Sequence, residues 1–157
     1  DEKVKSNPLF EGVRVITSDV PPSNAFAEPE TQDLVVTFRN LHNWLGRDSM
    51  QAVMLEAYNA LKPGGYFGVV EHRAPEGSSL EYMKKSGYVT QSLAIKKALE
   101  VGFVLVGTSE INANPNDTAD HPKGVWTLPP SYRLKDKDRA KYESIGESDR
   151  MTLLFKK

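Results

Sequence analysis

The chain has 157 residues, with 20 Lys plus Arg against 21 Asp plus Glu, a formal net charge of -1 and no Cys. That length suits one domain with a core of its own, and the absence of Cys removes disulfide frameworks, thiolate nucleophiles and cysteine metal sites. The near balance of charge gives no support for a nucleic-acid or anionic-membrane partner held by bulk electrostatics.

In chain order, residues 1–12 are charged and then punctuated by proline, which reads as a tail or loop. Val13–Thr17 has the composition of a short strand, with Asp19 at its end and Pro21-Pro22 breaking it. Leu34-Val35-Val36-Thr37-Phe38 is an apolar, β-branched run typical of a buried strand. After the polar and aromatic elbow 39–44, Met50, Val53, Met54, Ala57 and Leu61 repeat with helical period. Asp48 or Ser49 is expected to cap that helix, and Lys62-Pro63-Gly64-Gly65 to stop it. A second strand, Tyr66–Val70, runs into Glu71-His72-Arg73. Strand, helix and strand with short connections predict a right-handed βαβ crossover, so the two strands are parallel neighbours and both elbows lie at the carboxyl edge of the sheet, where open α/β folds bind ligands.

Further on, Leu80–Ser86 reads as a short helix closed by Gly87, and Gln91–Val101 as a helix capped by Thr90 and ended by Gly102. Phe103–Thr108 is a strand candidate. Residues 112–132, containing Asn114-Pro115, His121-Pro122 and Pro129-Pro130, are expected to be a long irregular connection of the kind that forms a lid or binding loop. Residues 134–143 suggest a solvated helix face, and Met151–Phe155 a closing strand. No repeat is visible. No apolar run approaches the ~20 residues that span a bilayer.

Two kinds of motif carry a family resemblance. The D-L-V-V strand, the A-L-K-P-G-G helix end and the Y-F-G-V-V-E strand resemble strands four and five of class I S-adenosylmethionine-dependent methyltransferases. The longer words FRNLHNW, GVVEHRAP, SEINANPNDTADHPKGVWTLPPS and IGESDRM are similar to a group of bacterial predicted methyltransferases. The resemblance runs over nearly the whole chain but matches only the carboxyl-terminal portion of such a domain. It implies a three-layer, Rossmann-like doubly wound α/β fold with a mostly parallel sheet and an antiparallel last strand, here lacking the first two strands. Because those two normally separate the third strand from the fourth, a gap in the middle of the sheet is expected. Pairing of an exposed sheet edge with a second copy is one way to close it.

S-adenosylmethionine is the implied cofactor and a small molecule the implied acceptor. The resemblance assigns Asp19 to the adenine amino group and Phe38 and Arg39, at the end of the fourth strand, to the cofactor. An ordinary turn residue is an equal reading of Asp19. The eleven glycines contain no G-x-G, so the glycine-rich turn that lets backbone approach the cofactor is missing. A start at Asp1, without Met or signal sequence, is expected of a processed or excised piece, and the compartment stays open between cytoplasm and export.

His42 and His72 follow the two central strands and are the candidate general bases; His121, in the long loop, is expected to converge with them. Asn40, Asn43, Trp44, Arg73, His121 and Trp126 are the candidate acceptor-binding residues, Arg73 with Arg39 as a guanidinium clamp for an anion. The plainer alternatives are a loop-bonding histidine, a core anchor at Trp44, and Arg39 and Arg73 paired with Glu71 or Asp149. Two further functions compete with methyl transfer. One is a methyltransferase-like binding module without catalysis. The other is a metal-dependent hydrolase built on His42, His72 and His121 with Glu71 or Asp120, although the ligand spacing is not that of a metal motif and no metal is expected.

Overall fold

The computed structural model describes residues 6–157. The predicted crossover forms: β1 (Gln32–Phe38) and β2 (Leu61–Ala74) run parallel, Leu34 beside Tyr66 through Phe38 beside Val70. Two helices link them, α1 (Leu41–Gly46) and α2 (Met50–Ala60). α1 occupies the elbow and becomes helical because Leu41 and Leu45, one turn apart, both reach the core. Neither expected cap serves α2. The Ser49 hydroxyl donates to the Arg47 carbonyl at 2.8 Å, and Asp48 is ion-paired with Lys84. The stop is as predicted. Gly64 takes φ +82°, and a Cβ on Gly65 would sit 3.0–3.1 Å from the Lys62 and Asp33 carbonyls, so the two glycines let β2 return beside the start of β1.

α3 (Leu80–Ser86) is capped by Ser79 and ended by Gly87. β3 (Val89–Thr90) pairs parallel with β2 and leads through the Thr90 cap into α4 (Gln91–Val101), which Gly102 closes. β4 (Val104–Ser109), β5 (Pro122–Val125), α5 (Arg139–Ile145) and β6 (Arg150–Lys156) complete the chain. β6 inserts antiparallel between β2 and β4, so the sheet order is β1-β2-β6-β4 with β3 on β2. This is the expected mixed α/β sheet, parallel except for its last strand.

Burial alternates along the strands. Met54, Ala57, Ala94 and Ala98 of α2 and α4 pack on Phe67, Val69, Phe103, Leu153 and Phe155, each large side chain contributing about 1.5–3 kcal/mol. The opposite face differs from the expected three layers. Leu34, Val36, Phe38, Tyr66, Val104 and Leu154 are 39–60% exposed there, and no described element covers them. No described helix is long and apolar enough to cross a membrane.

Two expectations need correction. Val13–Thr17 is not a strand; Val13, Val15 and Ile16 are exposed, and β propensity without a partner ladder does not hold a strand. The sheet therefore begins at β1, and the gap expected between a third and a fourth strand does not arise. Residues 112–132 are not wholly irregular, since they include β5 and turns gathered on Asp117. The fully buried Asp117 carboxylate accepts from the Tyr88 hydroxyl (2.9 Å), His121 Nε2 (2.7 Å) and the backbone N–H of Ala119 (2.9 Å) and Asp149 (2.8 Å). Of the predicted tail, residues 1–5 lie outside the described residues, and Pro8–Phe10 forms a 3-10 turn.

Candidate active site

The carboxyl ends of β1 and β2, the start of α1 and the amino end of β6 meet at one edge of the sheet. With the 125–131 segment above them they enclose a cleft of about 250 Å³. Phe38 and Arg39 enter it from β1, His42 from α1, His72 from β2, and Ser148 and Arg150 from the approach to β6. Val125, Trp126, Pro129 and Pro130 form the apolar wall.

Glu71 organises the floor. Its parity along β2 is that of Phe67 and Val69, so it points into the helix-covered side and is fully buried. A buried carboxylate needs hydrogen-bond donors, and three surround it: His42 Nδ1 at 3.0 Å, the His42 backbone N–H at 3.1 Å and the His72 backbone N–H at 2.8 Å. Nδ1 thus carries the proton toward Glu71, which leaves Nε2 of His42 as the basic nitrogen. Trp126 stands edge-on to the His42 ring at 5.9 Å.

His72 has the opposite parity and lies 5.4 Å, ring to ring, from His42. Its Nδ1 is 2.5 Å from the buried Ser148 hydroxyl. Burial first, then repulsion from His42 whenever that ring is protonated and from the charges of Arg150 and Arg39, pulls its pKa from 6.5 to about 3. The ring is therefore neutral near pH 7, and its basicity is too low for an efficient proton acceptor there. Arg150 sits across the β2–β6 ladder from His72. One of its terminal nitrogens meets Glu147 at 2.6 Å, while its Nε is buried with no hydrogen-bond partner among the described residues.

Several candidates from the sequence are elsewhere. His121 does not join the other two histidines; it is held by Asp117, packs edge-on to Tyr142 and borders a separate cleft across Trp126. The three-histidine metal site is therefore not assembled. Arg73 is no anion clamp. Its guanidinium is bidentate to Glu110 (2.9 and 2.7 Å) and bonds both oxygens of Asp149, which drives its pKa upward. Asn40 and Asn43 are exposed and do not line the cleft, and Trp44 packs against the core. Asp19 is exposed and accepts from the Ser23 hydroxyl at 2.8 Å, as a turn residue does. Phe38, Arg39, His42, His72 and Trp126 do meet in one place.

Ser148 and Arg150 complete the cleft without having been sequence candidates, and Glu71, buried beneath it, was weighed only as a metal ligand or the partner of an arginine. A charged residue at the inward parity of an apolar strand was a readable signal for Glu71. The cross-strand position of Arg150 was not readable, because it depends on a register set 78 residues away in the chain. His42, Glu71 and His72 bring ligand-type atoms within 4.8 Å of one another. Glu71 already accepts three N–H groups, and Arg39 and Arg150 line the same cleft, so the field opposes a dication.

No protein-family model matches the sequence, and no curated protein does. Solved structures do. The [4+2]-cyclase SpnF aligns over 99% of this chain with a TM-score of 0.65 at 13% identity. A putative sarcosine dimethylglycine methyltransferase from Galdieria sulphuraria aligns over 99% with a TM-score of 0.64 at 17% identity. A SAM dependent methyltransferase from Archaeoglobus fulgidus aligns over 95% with a TM-score of 0.54 at 14% identity. The alignments cover 60%, 62% and 71% of those chains in turn, so this chain spans about three fifths of the length of the first two. Such identities speak for architecture alone: the chain has the Rossmann-like fold of S-adenosylmethionine-dependent methyltransferases.

Proposed function

We propose that the chain is the acceptor-side portion of an S-adenosylmethionine-dependent methyltransferase whose glycine-rich cofactor loop lies outside these residues. The observation that carries this reading is the His42–Glu71 pair, which presents a basic nitrogen to a cleft at the carboxyl edge of the sheet. S-adenosylmethionine, when bound, supplies an electrophilic methyl group. His42 Nε2 takes the proton from the acceptor oxygen or nitrogen, and Glu71 stabilises the resulting imidazolium. His72, neutral, orients the acceptor, and Trp126 with Pro129 and Pro130 excludes water. The described residues do not themselves fit the whole cofactor. Phe38 and Arg39 reach the methyl-donor side, but no glycine turn offers backbone N–H groups. The 157-residue chain alone therefore binds the cofactor weakly at best, and the full-length protein in the micromolar range, about −8 kcal/mol.

Fold alone does not dictate methyl transfer, as a neighbour described as a cyclase illustrates. Calorimetric titration of the full-length protein with S-adenosylhomocysteine is the first test; absence of binding would favour a non-catalytic module. His42→Gln is the second. Single-turnover methyl transfer should fall about 10²–10⁴-fold with cofactor affinity little changed. An unaltered single-turnover rate across pH would remove His42 as the base.

A further inference from the structure

We propose that the acceptor taken by this cleft is a small monocarboxylate with a flat apolar body, its carboxylate held by Arg39 and Arg150. The inference rests on the methyltransferase reading for the word acceptor, but the anion site stands on its own geometry. Arg150 Nε is a buried donor with no partner among the described residues, and a buried N–H left unpaired is destabilising. Arg150 itself lines the cleft, where a carboxylate can pair with its guanidinium. Arg39 lines the same cleft and makes no ion pair among the described residues. It is held over the site by a left-handed backbone (φ 58°) and by its own N–H to the Val70 carbonyl at 2.7 Å. The low proton affinity of His72, caused in part by both arginines, reports the same positive field. Glu147 already neutralises one face of Arg150, so the remaining charge suits one negative charge rather than two.

The cleft also limits size and shape. About 250 Å³ exceeds the ~150 Å³ cavity that encloses one benzene ring, leaving room for a ring and a carboxylate. Trp126 and the Pro129-Pro130 step supply the apolar surface for the body of the ligand, and Arg133 stacks 4.5 Å from the Trp126 ring centroid.

Sodium benzoate titrated into the 157-residue chain, beside its neutral analogue benzamide, tests this. The readout is the Trp126 indole N–H in ¹H–¹⁵N spectra, assigned with Trp126→Phe. Benzoate should saturate, shift that signal and bind at least about tenfold more tightly than benzamide, with affinity falling as salt rises. Arg39→Gln and Arg150→Gln should each weaken benzoate about tenfold and leave benzamide unchanged. Equal binding of benzoate and benzamide, no saturation by benzoate, or full affinity in both folded arginine variants would overturn the proposal. Should a variant fail to fold, the two ligands on the unaltered chain still decide. S-adenosylhomocysteine binding by the full-length protein without benzoate binding would sink the anion site and leave the methyltransferase reading. The reverse pattern would keep the site and remove that reading.

Discussion

The lowered pKa of His72 makes a quantitative statement about stability. In the folded protein the ring takes a proton only near pH 3, whereas in the unfolded chain it does so near 6.5. Above pH 6.5 both states are neutral and His72 adds no pH dependence. Below it the unfolded state binds the proton first, so stability falls as pH falls, until the folded ring also protonates near 3. The difference reaches about 1.4 kcal/mol at pH 5.5 and about 2 kcal/mol at pH 5, from the ordinary value of 1.36 kcal/mol per unit. In a chain of this size that is roughly 4–8 °C in Tm at pH 5. Carboxylates titrate in part of the same range, so the informative quantity is the wild-type profile minus that of His72→Gln. Urea midpoints at half-unit steps from pH 7.5 to 4.5 would supply it. Parallel profiles would refute the account, and with it the claim that burial beside His42 and the two arginines keeps the ring neutral.

Other substitutions test the frame around the cleft. Gly124→Ala should cost about 3 kcal/mol, measured by urea unfolding, because its Cβ would lie 2.1 Å from the Ser86 carbonyl oxygen at φ +57°. Asp117→Asn should destabilise by about 2–4 kcal/mol and speed limited proteolysis within 112–132, since an amide cannot accept from all four donors. His121→Gln should lower Tm while leaving benzoate binding at the main cleft within about twofold, as a residue of the Asp117 network and not of the site.

The crossover was legible because its signals are local. The apolar runs at 34–38 and 67–70, the helical period from Met50 and the Gly64-Gly65 stop each fall within one element. Val13–Thr17 misled because strand propensity is realised only through a partner ladder, and the sequence does not announce which partners are present. The histidines divided on the same principle. His42 and His72 followed strands whose pairing could be inferred, whereas His121 sat in a loop whose anchor, Asp117, draws its donors from Tyr88 and Asp149 in distant parts of the chain. Arg73, open between an anion clamp and an ion pair, and Arg150, not a candidate at all, were settled for a similar reason. Which guanidinium finds two carboxylates and which keeps an idle donor is decided by side chains brought together only in the folded sheet.

Glu71 ties both histidines to a single carboxylate, one through its ring and both through their backbones. Replacing it therefore perturbs two positions at once, and changes at 42 and 72 are felt through a shared neighbour. A double-mutant cycle across this trio should show strong non-additivity. Over evolutionary time the same coupling would make the three residues drift together or not at all, so that a relative lacking the acid at 71 would be expected to have abandoned the arrangement as a whole.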